Sequence, residues 1–252
     1  MDQRNFKLLI AYEGTNFLGW QRQMEGPTVQ GLLEDALARV CDHQVTLHGS
    51  GRTDAGVHAA GQVANFLTAS ARTPRQLVLG VNSQLPPEIA VLKAEETHSD
   101  FHARFDCQGK YYSYDYNVSP VRNPLLCRQS WFIGSRLDWD SVAASFEYLL
   151  GEHDFAAFQS HGSPVKSTVR TLTKLELTQI GPELVRLSVF GTGFLRHMVR
   201  TIAGTLYQVG LGHLKSSDLT LILEGKDRRK AGVMAPAQGL CLRKVFYQDW
   251  PF

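Results

Sequence analysis

The stretch Gly49-Ser50-Gly51-Arg52-Thr53-Asp54-Ala55-Gly56-Val57-His58-Ala59 separates two apolar segments near the N-terminus. Short strands are predicted on either side of it, at Val45–His48 and Gln62–Thr68, because both segments are apolar and are bounded by turn-forming residues. The intervening residues, Arg52–Ala60, are therefore predicted to form a loop between strands. The density of glycine indicates a backbone with unusual torsion angles or one that approaches a ligand closely.

Strand and helix patterns extend outward from this loop in both directions. Before it, Phe6–Tyr12 is predicted to be a buried strand, and apolar residues at helical spacing predict a helix from Val29 to Val40. After it, the predicted strands are Ile89–Ala94, Lys110–Asn117, Val169–Leu177, Leu184–Phe190 and Leu240–Tyr247. One helix is predicted to start at Thr73-Pro74 and to end before Pro86-Pro87, and another runs from about Phe194 to Gln208. Two more are predicted to be capped by Asp138 or Asp140 and to run to Leu150, and to be capped by Ser216 or Ser217 and to end at Gly225.

The order of these elements favours an α+β architecture in two similar halves over a doubly wound parallel sheet, because strands outnumber strand-helix-strand crossovers. We place the halves at residues 1–105 and 106–252. The first half carries the glycine-rich loop, and the second carries a strand in which Tyr112, Tyr114 and Tyr116 alternate onto one face.

Composition is that of an ordinary globular protein, with 252 residues, 43% hydrophobic and 20% charged. No apolar run is long enough to span a bilayer, and the first residues lack the hydrophobic segment of a signal peptide. We therefore expect a cytoplasmic protein that does not contact a membrane. The four cysteines are widely separated, which argues against a zinc site or a disulfide framework and predicts reduced, mostly buried thiols.

Positive charge is clustered although the formal net charge is only +2. The clusters are Arg72 with Arg75, Arg196 with Arg200, and Lys226–Lys230. Such clusters either contact nucleic acid or form a solvated surface, and the sequence pattern leaves both interpretations open.

The glycine-rich loop matches no common nucleotide or deaminase motif. It is neither G-x-G-x-x-G nor a phosphate loop ending in G-K-[ST], and the H-x-E and P-C-x-x-C motifs of zinc deaminases are missing from the chain. What remains is a carboxylate, Asp54, with Arg52 two residues away. On spacing alone, Asp54 is either a turn residue that binds main-chain amides or a catalytic group.

The sequence of the loop resembles the signature motif of the TruA-type tRNA pseudouridine synthases, and it matches that motif without a gap. Similar matches extend over nearly the whole chain: Tyr12-Glu13-Gly14-Thr15, Gly19-Trp20-Gln21, Phe101–Phe105, Thr168-Val169-Arg170, Gly193–Arg200 and Ala235–Leu240. Two positions depart from the family pattern. Glu13 stands where the family usually has aspartate, and Lys110-Tyr111 stands where an arginine pair is common.

The resemblance implies the pseudouridine synthase fold, with mixed, largely antiparallel sheets flanked by helices and a cleft between the two halves. It also implies that uridine is converted to pseudouridine without a metal or other cofactor. Asp54 matches the catalytic aspartate of the family. Whether such a carboxylate attacks the sugar, attacks the base or assists proton abstraction is left open by the sequence.

Further site residues follow from the resemblance. Arg170 matches the cation that accompanies the catalytic carboxylate, although it could instead be an exposed strand residue paired with Glu176. Tyr112 matches the tyrosine that stacks on the flipped uracil, whereas Tyr114 and Tyr116 are expected in the core. His58 is interpreted as a residue that stabilises the loop.

RNA contacts and assembly are also implied by the family. The residues that match its RNA-contacting positions are Arg52, Arg72, Phe101, His102, Ala103, Arg104, Phe105 and the strand segment from Arg170 to Lys174. The expected substrate is the anticodon stem-loop of tRNA, at uridines 38, 39 and 40. Family members are homodimers, so a second copy of this chain is the expected protein partner.

Two alternatives from other functional classes stay open. A non-catalytic RNA-binding scaffold would use the basic clusters alone, but a carboxylate near RNA phosphates would weaken its binding. A nucleoside or glycoside hydrolase could also use Asp54, but it would usually need a second carboxylate as acid, and no such residue stands out in the sequence.

Overall fold

A computed structural model of the chain describes residues 3–134, 137–160, 162 and 165–248. The chain folds into two units, one containing Met1–Gln108 with Cys241–Phe252 and the other Gly109–Leu240. The C-terminal strand thus belongs to the first unit, whereas the halves predicted from the sequence, 1–105 and 106–252, place it in the second. Its parallel pairing with a strand of the first unit, through Cys241 opposite His58, accounts for this placement.

The first unit contains a mixed sheet built around β1 (Arg4–Tyr12). Its antiparallel neighbours are β3 (His58–Thr68) and β4 (Ile89–Thr97). β3 also pairs with the short β2 (His48–Gly49) and, in parallel, with β10 (Leu240–Phe246). Phe6, Leu8 and Ile10 alternate along β1 and are buried, which confirms the predicted strand.

Two helices accompany this sheet, and both were predicted from the sequence. α1 (Val29–Cys41) buries Leu33 and Leu37, and it begins after Thr28, whose hydroxyl accepts the Gly31 N–H. α2 (Pro74–Asn82) begins with a reciprocal capping box between Thr73 and Gln76. These caps satisfy main-chain donors that the first turn of a helix leaves unpaired.

The second unit contains an antiparallel run of strands in the order β5-β9-β8-β7. Their bounds are β5 (Gly109–Asn117), β7 (Gly151–Asp154), β8 (Val169–Gly181) and β9 (Leu184–Gly191). A two-residue β6 (Trp131–Phe132) pairs in parallel with β5. The helices are α3 (Trp139–Ala144), α4 (Phe146–Leu149), α5 (Met198–Gly210) and α6 (Asp218–Gly225), with short 3-10 turns at Ala156–Phe158 and Ala237–Gly239.

Several element boundaries differ from the predicted ones. The predicted helix Asp138–Leu150 is divided into α3 and α4, and β7 follows directly where a stop was expected. α5 begins four residues after Phe194, because His197 adopts a left-handed conformation with φ 64°. Only His48 of the predicted strand Val45–His48 lies in a strand.

Side chains of α1 explain the missing part of that strand. The Leu47 N–H donates to Glu34 Oε1 at 3.0 Å, and Gln30 Nε2 donates to the Leu47 carbonyl at 2.9 Å. Both polar groups of Leu47 are thus satisfied without a neighbouring strand.

The architecture is therefore α+β with largely antiparallel mixed sheets, as the sequence predicts. In the described part of the chain, no helix combines the length and apolar character needed to cross a bilayer. All four cysteines are free thiols, but only Cys41 is buried and Cys127 is exposed, so the prediction of mostly buried thiols was wrong.

Candidate active site

The loop that carries Asp54 is held on one side by the segment that follows β1. The Trp20 N–H donates to the Thr53 carbonyl at 3.0 Å. Gly19 has a φ of +94°, and a Cβ added there would lie 2.5 Å from the same carbonyl oxygen. A Cβ on Gly14 would collide with the Val57 carbonyl. Only glycine permits these close approaches, so the two glycines fix the position of the loop backbone.

Side-chain hydrogen bonds also hold the loop. The Tyr12 hydroxyl lies 2.8 Å from Thr53 Oγ1, and Ser50 Oγ donates to Gln62 Oε1 at 2.7 Å. Gln62 Nε2 in turn donates to the Gly51 carbonyl at 3.0 Å. Burial raises the pKa of Tyr12 well above its ordinary value, so the phenol keeps its proton.

Asp54 lies at the turn of this loop and is half-buried, between buried Thr53 and exposed Ala55. The Val57 N–H donates to the Asp54 carbonyl at 3.1 Å, which closes the turn. Arg52 is exposed to solvent two residues earlier. Asp54 is therefore a partly exposed carboxylate on a hydrogen-bonded loop.

His58 stabilises this loop. Its Nδ1 accepts the Gly14 N–H at 2.9 Å and lies 3.5 Å from Glu13 Oε1, and the ring is buried. Because Nδ1 serves as an acceptor, it carries no proton in this arrangement. The geometry therefore agrees with the interpretation of His58 as a loop-stabilising residue.

In the second unit, the alternating tyrosines of β5 share one face, as predicted. Tyr114 and Tyr116 are buried and donate to the carbonyls of Pro236 (2.9 Å) and Ala203 (2.8 Å), so their placement in the core is confirmed. Tyr112, at the other end of the row, packs edge-on against Phe194 with ring centroids 5.1 Å apart. It retains 8% exposure.

Arg170 lies on the same face of this sheet as Tyr112. Tyr112 on β5 pairs with Val189 on β9. Gly191, two residues after Val189, pairs with Leu172 on β8. Arg170 lies two residues before Leu172 on the same strand. Side chains two residues apart on a strand share a face. The Arg170 guanidinium donates to the carbonyls of Ser167 and Val169 at 3.0 and 2.6 Å.

Two further observations define the surroundings of Arg170. Gly193 leaves room for it, because a Cβ there would already lie 3.6 Å from Arg170 Cδ. Partial burial lowers the pKa of the guanidinium from its ordinary value. Glu176 pairs with Lys174 at 2.7 Å, so the alternative pairing of Arg170 with Glu176 is wrong.

Lys174 lies on the opposite face of the sheet. A β-bulge between Leu172 and Lys174 shifts the register, so that Lys174 pairs with Phe190. Its ammonium lies 5.5 Å from the Phe190 ring, and that ring stacks on Tyr111. Arg170 and Lys174 therefore lie on opposite faces of the sheet, and their contact with RNA stays a prediction.

The segment from Phe101 to Phe105 is divided between core and surface. Phe101 and Ala103 are buried, and their contact with RNA stays a prediction. Arg104 and Phe105 are exposed, and His102 is half-buried. Alternate residues thus anchor the segment while the others face solvent.

The arginines of the predicted basic clusters differ in their exposure to solvent. Arg72 is exposed, and its Nε donates to the Val40 carbonyl at 3.3 Å, near the end of α1. Arg200 is buried and donates to the Ala235 carbonyl at 2.7 Å, whereas its neighbour Arg196 is exposed. Arg200 therefore forms part of the core, and we do not retain it as a candidate for contacts with RNA phosphates.

Comparison with known proteins identifies the family. A family model described as tRNA pseudouridine synthase matches residues 8–106 and 145–248. The chain belongs to the tRNA pseudouridine synthase family. Its members are isomerases that convert uridine to pseudouridine in tRNA, and this chain is an enzyme of that class.

Similar proteins match the chain over nearly its full length. The tRNA pseudouridine synthase A of Geobacter sp. (strain M21) is 45% identical over 247 residues, which cover 98% of this chain and 100% of that one. The tRNA pseudouridine synthase A of Acetivibrio thermocellus is 41% identical over 244 residues, covering 97% and 100%. That of Clostridium kluyveri is 44% identical over 245 residues, again covering 97% and 100%.

Sequence reasoning missed several residues that support this synthase site. Tyr12 and Gln62 hold the loop from β1 and β3, and Phe194 packs against Tyr112. Tyr12 and Phe194 lie within the motifs that match the family, so those matches could have identified these two residues. Among the described residues, no group of three or more histidine, cysteine or acidic side chains is arranged to hold a metal ion.

Proposed function

We propose that this synthase acts on uridines of the tRNA anticodon stem-loop, in the cytoplasm and as a homodimer, with Asp54 as its catalytic carboxylate. The observation that carries the proposal is the position of Asp54. It lies at the turn of a loop that is held by close approaches of Gly14 and Gly19 and by hydrogen bonds from Trp20, Tyr12 and Gln62.

The reaction breaks the N1–C1′ glycosidic bond and forms a C5–C1′ bond with the same uracil, while C5 loses a proton and N1 gains one. No atoms are lost overall, so neither an oxidant nor a second substrate is needed. A carboxylate can assist by adding to the sugar or base or by accepting a proton. The target base must leave its stack before any of these steps.

Other residues of the site are proposed in supporting roles. Tyr112 offers its ring to the extruded uracil, and Phe194 supports that ring from the side. Arg170 supplies positive charge that can stabilise negative charge developing on the substrate. Arg52 and Arg72 contact RNA phosphates, for which a planar guanidinium is well suited.

The test is to incubate the purified protein with tRNA transcripts and to map pseudouridine position by position. We expect pseudouridine in the anticodon stem-loop, no free uracil, and no effect of added metal ions or chelators. Release of free uracil would show a hydrolase, and binding without a change in the RNA would show a scaffold. Either result would refute the proposed reaction.

A further inference from the structure

The basic run Lys226–Lys230, which the sequence leaves as either a nucleic-acid contact or a solvated surface, is partly paired within the second unit. Arg229 pairs with Asp227 inside the run at 2.7 Å. The ammonium of Lys226 instead lies 2.7 Å from Oδ2 of Asp154, the last residue of β7. Lys226 therefore connects the end of α6 to a distant strand.

The backbone of Lys226 gives a second sign that this contact matters. Lys226 follows the last residue of α6 and adopts a left-handed conformation with φ 50°. Glycine or asparagine usually occupies such a position, because a Cβ makes the conformation costly. An unfavourable conformation persists where surrounding contacts determine it. The bond between the Lys226 ammonium and Asp154 is a contact of this kind.

Asp154 gathers donors from three separate segments. Its Oδ1 accepts the Thr168 hydroxyl at 2.5 Å and the Ala156 N–H at 3.1 Å, while Oδ2 faces Lys226. Burial raises the pKa of Asp154, but the hydrogen bonds from Lys226, Thr168 and Ala156 together lower it further, so the pKa lies below its ordinary value. An ionised carboxylate only accepts hydrogen bonds, so the Thr168 hydroxyl is the donor.

Thr168 is held through its main chain as well as its side chain. The ladder between β7 and β8 ends where Asp154 pairs with Val169, so Thr168 lies just outside it. There the Phe155 N–H donates to the Thr168 carbonyl at 3.1 Å. Two consecutive residues, Asp154 and Phe155, thus fix the backbone at the point where β8 begins.

The orientation of Arg170 depends on that backbone. Ser167 and Val169, the two neighbours of Thr168, offer the carbonyls that accept hydrogen bonds from Arg170 Nη1 at 3.0 and 2.6 Å. Because both bonds use the same nitrogen, the positions of the two carbonyls determine the direction in which the rest of the guanidinium points. A shift of Thr168 would move both carbonyls.

We propose that Asp154, held by Lys226, is a positioning residue for Arg170 and acts on it through Thr168. This inference rests on the proposed function, in which Arg170 stabilises negative charge on the substrate. Such stabilisation depends on accurate placement of the donor, and a displacement of about 1 Å can slow a reaction about 100-fold. Asp154 needs no contact with tRNA for this role, so its loss should slow the reaction without weakening binding.

The experiment measures single-turnover pseudouridine formation and tRNA affinity for the wild type, Thr168→Val and Thr168→Ser. Thr168→Val keeps the branched shape but removes the hydroxyl, so its rate should fall about tenfold with unchanged affinity. Thr168→Ser retains the hydroxyl and should stay within about twofold of the wild-type rate.

The matched control is Thr205→Val, which removes another buried hydroxyl of the second unit. That hydroxyl accepts the Gly232 N–H at 2.9 Å and contacts neither Asp154 nor Arg170. Thr205→Val should lower the free energy of unfolding, as Thr168→Val should, while the folded protein keeps the wild-type rate. The comparison separates positioning of Arg170 from a general loss of stability.

A double-mutant cycle tests whether the effect passes through Arg170. In an Arg170→Met background, Thr168→Val should cause no further loss of rate, because the group that it positions is already missing. Equal losses in both backgrounds, or a wild-type rate in Thr168→Val alone, would overturn the proposal. If Thr168→Val does not fold, Asp154→Asn takes its place in the same cycle, and a wild-type rate in that variant overturns the proposal equally.

The proposed function is tested separately by Arg170→Met alone, at any uridine that the wild type converts. A wild-type rate in Arg170→Met refutes the role proposed for this arginine, and the positioning by Asp154 falls with it. A slow Arg170→Met beside a Thr168→Val of wild-type rate refutes only the positioning.

Discussion

Nδ1 of His58 accepts a hydrogen bond from the main-chain N–H of Gly14 at 2.9 Å, joining the end of β1 to the loop that carries Asp54. His58 is buried, so this donor has little access to water. The contact couples stability of the fold to the position of the proposed catalytic carboxylate, because Val57 and His58 directly follow the turn at Asp54.

His58→Leu is therefore expected to lower the free energy of unfolding by about 1 to 3 kcal/mol, since it leaves the Gly14 N–H without its acceptor. His58→Asn should lose less, because its amide oxygen can take the place of Nδ1. Urea unfolding of the three proteins measures this difference. Equal stability of the leucine variant and the wild type would show that the Gly14 contact contributes nothing.

Gly19→Ala should disturb the same loop from the other side. Its φ of +94° is unfavourable for alanine, and the new Cβ would meet the Thr53 carbonyl at 2.5 Å. We expect destabilisation of about 1 to 3 kcal/mol and a loss of turnover of at least about tenfold. Gly181→Ala is the control, because a Cβ there meets nothing within 4 Å. Normal single-turnover rates in Gly19→Ala would contradict the proposed role of this glycine.

Asp54→Asn should abolish pseudouridine formation while tRNA affinity stays similar or tightens, since the side chain keeps its size and loses its negative charge. Single-turnover assays and equilibrium binding on the same tRNA measure the two effects. Asp100→Asn, at an exposed carboxylate of the same unit, should leave both unchanged. Substantial product from Asp54→Asn would end the case for a catalytic carboxylate at this position.

Substitutions of Tyr112 separate stacking from proton transfer. Tyr112→Leu should weaken binding and catalysis by about 1 to 3 kcal/mol through lost stacking on the base. Tyr112→Phe should bind normally, and it should release little pseudouridine if the hydroxyl moves a proton. Single-turnover product analysis distinguishes the two roles, and a fully active leucine variant would reduce Tyr112 to a packing residue.

Tyr114→Phe serves as the control on the same face of β5. It removes only the hydrogen bond to the Pro236 carbonyl. This variant should lose about 0.5 to 1.5 kcal/mol of stability and retain its single-turnover rate.

Affinity for tRNA should fall steeply with rising salt if Arg52, Arg72 and Arg196 contact phosphates, because binding then releases counterions. Arg52→Gln should reduce the slope of log affinity against log salt by about one. Arg229→Gln is the control, since that guanidinium is already paired with Asp227 at 2.7 Å. A flat salt response of the wild type would argue against an interface dominated by phosphate contacts.

The local structure around the site could be predicted from the sequence because local patterns determine it. The helical spacing of apolar residues located α1, and Thr73-Pro74 located the start of α2. Alternation along β5 placed Tyr114 and Tyr116 in the core. The glycine-rich loop motif singled out Asp54, although its chemical role followed from the family resemblance and not from spacing.

Which side chains share a surface was decided by tertiary structure. Regular alternation would place Arg170 and Lys174 on one face of β8, but the bulge between Leu172 and Lys174 sends them to opposite faces. Arg200 looked like a surface charge until its hydrogen bond to the Ala235 carbonyl placed it in the core. Composition and periodicity describe residues that are neighbours along the chain. Register shifts, and hydrogen bonds to carbonyls that are distant in the sequence, form only when separate segments pack together.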